Sequence, residues 1–240
     1  MTKQKNYKKT LIACYLGYVT QAISAKFAPL LFLTFISTYG ITLEKIAMIP
    51  LVFYLTQLLI DLAATKFADK IGYRTCVVAS QVLSAVGLVL MAILPEVLPI
   101  PFIGILISVV LYAMGSGLIE VLISPIMEGL PNEKKSKSMS LLHSFFCWGQ
   151  LGTVLLSTAY FYIAGLDKWY FLPIIWSSVP LFNMFYFIKV PLPEPEKEEK
   201  TMGVKKLLST RFFFVFLLLM LCSGAAEQAM SQWASLFAET

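Results

Sequence analysis

The sequence predicts an all-α membrane protein, and three observations carry that prediction. The 240 residues are 58% hydrophobic and only 14% Asp, Glu, Lys and Arg, whereas soluble domains carry about 25% charged residues. The apolar residues come in long blocks: 75–95, 97–119, 138–166 and 169–188 hold no Asp, Glu, Lys or Arg. The basic residues collect on one side of those blocks. A spanning helix needs about 17–25 mostly apolar residues. Barrel strands would instead alternate in ~10-residue segments, a pattern the blocks do not show.

Seven spans follow, at 10–37, 45–67, 73–94, 99–127, 139–164, 169–190 and 211–238. The first follows a basic N-terminus, as in a signal peptide. It is too long for the apolar region of one and the next span comes at once, so it reads as a retained helix. Spans 2 and 3 are joined by the polar turn around 68–74. Spans 3 to 6 are the long blocks free of charged pairs, and their outer connections at 95–98 and 165–168 are short, as is 38–44 before span 2. Consecutive helices therefore pack as antiparallel neighbours. Prolines 29, 50, 125, 173 and 180 lie inside spans, which membrane bundles tolerate. After span 6 comes VPLPEPEKEEKTMGVKKLLST, too polar to bury a core and read as a linker. Span 7 follows it.

The net charge of +5 is a topology signal. With the N-terminus in the cytoplasm, 16 of the 19 Lys and Arg face inward, Lys45 and Lys168 face outward, and Lys26 lies within the membrane. This is the positive-inside distribution of a multi-pass protein. It argues against nucleic acid as the partner and for the lipid bilayer. Cys14, Cys76, Cys147 and Cys222 have no metal-site spacing and read as small core residues.

Lys26, Asp61, Glu120, His143 and Glu227 are ionisable groups inside spans, where a charge costs at least ~2.5–3.5 kcal/mol at the bilayer centre. Such groups face a bundle interior or a water-filled path. In span 4, Tyr112, Ser116, Glu120 and Ser124 recur every four residues, so successive members adjoin on the helix. One reading of Glu120 is functional, since an embedded carboxyl can take up and release protons. The other reading is a hydrogen-bonded carboxyl that glues helices together. Span 7 repeats the spacing at Ser223, Glu227, Ser231 and Ser235, with Gln228, Gln232 and Trp233 beside them. Carboxylate, amides and an indole suit a sugar, giving partners for hydroxyls and a flat apolar face. Glu227 is thus the second proton-coupling candidate. Gln21, Lys26, Gln150, Gln228, Gln232 and Trp233 are the solute-binding candidates. Lys26 lies ~24 Å of rise into span 1 and calls for a partner acid, Glu120 or Glu227. Asp61 belongs to Gln57, Asp61, Thr65 and Asp69, again every four residues, and is expected to gate or to pair. His143 is either a relay toward Glu120 or an interface histidine.

Two motifs resemble a known family. Ala68-Asp69-Lys70-Ile71-Gly72-Tyr73-Arg74 resembles the loop between helices 2 and 3 of the major facilitator superfamily, although the glycine four residues before the Asp is Thr65 here. Asp69, Gly72 and Arg74 then form, with Asp61, a gating motif. Gly115-Ser116-Gly117-Leu118-Ile119-Glu120, followed by Pro125, is similar to helix 4 of the fucose-permease branch. That resemblance implies proton-coupled sugar transport with Glu120 in the coupling role. That branch also has an acid in helix 1, and none is present in span 1. Four-residue echoes at Gln21-Ala22-Ile23-Ser24 and Gln228-Ala229-Met230-Ser231 fall where the first helix of each half corresponds.

The resemblance implies a six-helix N-terminal transmembrane bundle at 1–190, a cytoplasmic inter-domain linker at 191–210, and the first helix of a truncated C-terminal bundle at 211–240. The expected function is secondary active transport of a small sugar-like solute, with protons as coupling ion, in the plasma membrane of a bacterial cell. The expected partners are that solute, protons, the bilayer, and the missing C-terminal helices or a partner half. No cofactor or metal is called for. The alternatives are an inactive half-transporter and an intramembrane enzyme built on Glu120, Glu128 and His143. A seven-helix receptor is disfavoured by the charge bias.

Overall fold

The computed structural model describes residues 7–131, 135–193 and 210–237. Regular structure among these residues is helical: α1 (Lys8–Leu30), α2 (Phe32–Tyr39), α3 (Leu43–Ile71), α4 (Tyr73–Val97), α5 (Pro101–Glu128), α6 (Lys135–Ala164), α7 (Phe171–Lys189) and α8 (Arg211–Phe237), with a short 3-10 turn at Leu166–Lys168. Six helices are long and apolar enough to cross a membrane, and the α1–α2 pair makes a seventh if counted as one span. The chain is a multi-pass helical membrane protein.

Where the sequence predicts one helix over 10–37, the structure bends by 41° between α1 and α2. The cause lies in Pro29, which has no N–H to donate and whose ring crowds the carbonyl four residues earlier. The helix closes on a tight turn, with the Leu31 N–H bonded to the Ala28 carbonyl at 2.9 Å. Gly40 then ends α2 in the left-handed conformation, the usual helix stop.

The chain divides into two units, Met1–Pro195 and Glu196–Thr240. Residues 194–209 of the expected linker lie outside the described residues. In the first unit α5 is the central element, packed on α4, α3 and α1. α1 also contacts α6 and α7, and α4 packs on α7. Burial follows this order: 61% of the apolar window of α5 is buried but only 17% in α3 and in α6. Leu51, Leu55, Leu58, Leu59 and Leu62 of α3 accordingly stay exposed, which costs little where the surrounding medium is lipid.

The α4–α5 contact depends on small residues. A methyl group on Gly115 would lie 2.6 Å from the Ser80 carbonyl oxygen and 2.8 Å from the Ser84 nitrogen. The backbones approach this closely because both helices offer almost no side chain there. Cys14 and Cys76 are core residues as expected, but Cys147 and Cys222 are exposed. Cys147 lies on a side of α6 that α1 does not cover.

One residue separates α3 from α4. Gly72 turns the chain with φ +93°, open to glycine but strained for other residues. Arg74, two residues on, donates to the carbonyls of Phe187 (2.9 Å), Ile188 (2.5 Å) and Val190 (2.8 Å). These are among the orphan carbonyls at the C-terminus of α7, where a cation also meets the negative end of the helix dipole. The Thr10 hydroxyl donates to the Pro191 carbonyl at 2.7 Å. α1 and α4 together hold the exit of α7.

The second unit is described by α8. Its stretch Arg211–Met230 is apolar enough to cross a membrane.

Candidate functional site

Glu120 sits two helical turns from the C-terminal end of α5. The small residues Gly115, Ser116 and Gly117 precede it and let α3 and α4 approach. Gln21 of α1 donates from Nε2 to Glu120 Oε2 at 3.0 Å, and Gln57 of α3 donates from Nε2 to the same oxygen. The carboxylate thus joins three helices through charge-assisted hydrogen bonds, while keeping exposed surface. An exposed acid among apolar helices is the central feature of this unit.

Asp61 lies on α3 one turn after Gln57, on the same side of the helix. Its Oδ1 would be 2.9 Å from a methyl on Gly117, and Gly117 is one turn before Glu120. The two carboxyl groups therefore share the α3–α5 seam. Oδ1 of Asp61 is buried with no hydrogen-bond partner among the described residues.

The four-residue series on α5 divides along its length. Tyr112 and Ser116 are fully buried, and Tyr112 packs against Phe53 of α3 with ring centroids 5.8 Å apart. Beyond Glu120, the Ser124 hydroxyl meets the Tyr18 hydroxyl at 3.1 Å. The drift of a 3.6-residue helix explains the change of surroundings. His143 of α6 is exposed and meets the Tyr18 ring edge-on at 5.7 Å. Tyr18 therefore stands between His143 and the Glu120 turn.

The remaining candidates are placed as follows. Gln21 reaches Glu120. Lys26, on the same helix, is buried. Gln150 of α6 is half-buried with Nε2 unpartnered among the described residues, next to Gly149, which abuts Ala22 and Val19 of α1. Of the expected gating motif, Gly72 and Arg74 occupy the α3–α4 turn described above, and the side chain of Asp69 lies outside the described residues. Glu227, Gln228, Gln232 and Trp233 belong to α8 in the second unit, where Glu227 is exposed and Gln232 Nε2 approaches Gln228 Oε1 at 3.5 Å. The side chains of Ser231 and Ser235 lie outside the described residues.

Gln57 was not among the sequence candidates. Its signal was present, since it stands one helical turn before Asp61 in a four-residue series. A second polar pair was equally unmarked: Thr20 Oγ1 donates to Gln81 Oε1 at 3.1 Å in a fully buried setting between α1 and α4. Asn183 of α7 likewise donates to the Ala13 carbonyl at 3.2 Å.

These features define a multi-pass helical membrane protein with an ionisable seam inside its bundle. Residues 14–240 match the family model described as Major Facilitator Superfamily, and the chain belongs to that superfamily. Its fold is similar to the inward-open conformation of the xylose transporter XylE from E. coli, with TM-score 0.67 at 15% identity over 89% of this chain and 55% of that one. It is also similar to a D-xylose-proton symporter, with TM-score 0.67 at 12% identity over 95% of this chain and 54% of that one. The chain spans about half the length of these solved relatives. No curated protein matches it. Family membership points away from an intramembrane enzyme at Glu120, Glu128 and His143.

Proposed function

We propose that this chain takes part in secondary active transport of a small polar solute of the sugar class, by alternating access, with Glu120 as the residue that couples solute movement to an ion gradient. The observation that carries the reading is the carboxylate of Glu120, held by amides from two other helices inside a membrane bundle. Static glue would be shut away among packed side chains, whereas Glu120 keeps exposed surface. Two similar folds are a xylose transporter and a D-xylose-proton symporter, which supports a sugar-like solute. The helix-4 motif around Glu120 resembles the fucose-permease branch, which supports a proton as coupling ion. Gln21, Lys26 and Gln150 are the proposed solute-binding groups of the first unit. Gln228, Gln232 and Trp233 are those of the second, with Glu227 as a second proposed coupling residue. Asp61, Asp69, Gly72 and Arg74 are the proposed gating elements. The proposed location is a bacterial cell membrane with the N-terminus inside.

The test is uptake by proteoliposomes carrying the full chain, with a panel of pentoses and hexoses and with or without a pH gradient. Glu120→Gln is expected to abolish gradient-driven accumulation while sparing solute exchange. Accumulation that persists in this variant would refute the coupling role, and absence of uptake of every sugar would refute the solute class.

A further inference from the structure

The ends of α2 and α4, the 3-10 turn and the start of α7 meet around a cavity of about 460 Å³, lined by Thr38, Ala92, Glu96, Asp167, Trp169 and Tyr170. It shares no residue with the seam around Glu120. One wall is held by aromatic packing: Trp169 is only 2% exposed, its ring perpendicular to Phe35 at 5.6 Å and to Tyr39 at 6.2 Å. The turn that carries Asp167 is tied to α6, because the Tyr160 hydroxyl donates to the Lys168 carbonyl at 2.9 Å. Tyr39 donates its hydroxyl proton to Oε1 of Glu96. An ionised carboxylate has about four acceptor sites, so Glu96 can take further donors. Neither Glu96 nor Asp167 has a basic partner among the described residues, and both keep exposed surface. The cavity therefore offers negative charge and surplus acceptors beside a fixed aromatic wall.

We infer that this cavity binds the primary ammonium group of a phosphatidylethanolamine headgroup. The inference is independent of the transported solute and of its coupling ion. A primary ammonium brings three N–H donors, which Glu96 and Asp167 accept as charge-assisted bonds. A quaternary ammonium would instead seek open aromatic faces, which Trp169, almost wholly covered, does not present. A bare metal ion would leave most of the space empty, and among the described residues no group of three His, Cys, Asp or Glu stands ready to hold one. The position points to lipid as the source of the ammonium. α4 and α7 are apolar enough to cross a membrane, and the cavity lies where α4 ends and α7 begins, at the level where hydrocarbon gives way to headgroups. Tyr and Trp side chains belong at that level. The headgroup also carries a phosphate. Lys168, between two lining residues, and the positive start of α7, one residue after Tyr170, suit that second charge.

The experiment is native mass spectrometry of the full chain, purified in detergent and offered equal amounts of phosphatidylethanolamine, phosphatidylcholine and phosphatidylglycerol with identical acyl chains. The parent is expected to retain phosphatidylethanolamine at least fivefold over either of the others. Glu96→Gln and Asp167→Asn should each reduce that preference at least threefold. Glu44→Gln removes an acid from the first turn of α3, outside the cavity, and should leave the preference unchanged, which separates the site from overall charge. Asp167→Glu, which keeps the carboxylate on the exposed turn, should keep at least half of the preference, and this sets loss of the ligand apart from loss of the fold. Equal retention of the three lipids by the parent, or a preference unchanged in both Glu96→Gln and Asp167→Asn, would overturn the site. Free ethanolamine forms the second arm: its binding by a chain that shows no lipid preference would overturn the assignment to lipid.

Discussion

Replacing Gly115 with alanine tests the packing on which the polar seam rests. The new methyl would stand 2.6 Å from the Ser80 carbonyl oxygen and 2.8 Å from the Ser84 nitrogen, and it would also strike the Ser84 hydroxyl. Unstrained contacts between such atoms begin near ~3.5 Å, so α4 and α5 must separate by roughly 1 Å at this level. Two of the three nearest obstacles are backbone atoms, which no rotamer change can move. Overpacking of this kind costs about 1–3 kcal/mol. The helix propensity gained by exchanging Gly for Ala returns up to about 1 kcal/mol. With that gain in full, a net loss of up to about 2 kcal/mol remains, a shift of the folding equilibrium of up to roughly 30-fold. Gly152 of α6 is the control, because nothing lies within 4 Å of a methyl placed there. The assay is reversible denaturation of the purified protein in mixed micelles. Gly152→Ala should unfold at or above the parent midpoint and Gly115→Ala below it. Adding Ser84→Ala to Gly115→Ala should restore only part of the loss, because the Ser80 carbonyl stays in place. Equal midpoints for Gly115→Ala and Gly152→Ala would refute the close approach of α4 and α5.

Three further outcomes follow from the same contacts. Arg74→Ala removes three hydrogen bonds from the end of α7 and should cost about 1–2 kcal/mol; Arg74→Lys, which lacks the planar fork, should recover less than half of it in the same denaturation assay. Gly72→Ala meets no atom within 4 Å but must adopt φ +93°, a strain of about 1–3 kcal/mol, seen as a lower midpoint that no second-site cavity relieves. Gln57→Leu removes one of the two amide donors to Glu120. Reaction of Glu120 with a water-soluble carbodiimide should then rise at least twofold, measured by mass spectrometry, and an unchanged rate would refute the bond.

The sequence by itself determined the class of molecule. Long uncharged blocks admit only membrane helices, because a backbone in hydrocarbon must satisfy its own hydrogen bonds. It also marked Glu120 and Gln21, since a polar group is conspicuous within an apolar helix. It missed the bend at Leu31, although Pro29 was visible, because composition does not reveal whether a neighbouring helix will straighten a proline. Only the tertiary structure decided which polar residues meet. Gln21 and Gln57 reach Glu120 across 99 and 63 residues of chain. Asp61 comes to the same seam because Gly117 lets α3 lie against α5. A helix repeats every 3.6 residues and so shows which residues share its face. The rotation and height at which two such faces touch are set by small residues far apart in sequence, and that information exists only once the bundle has packed.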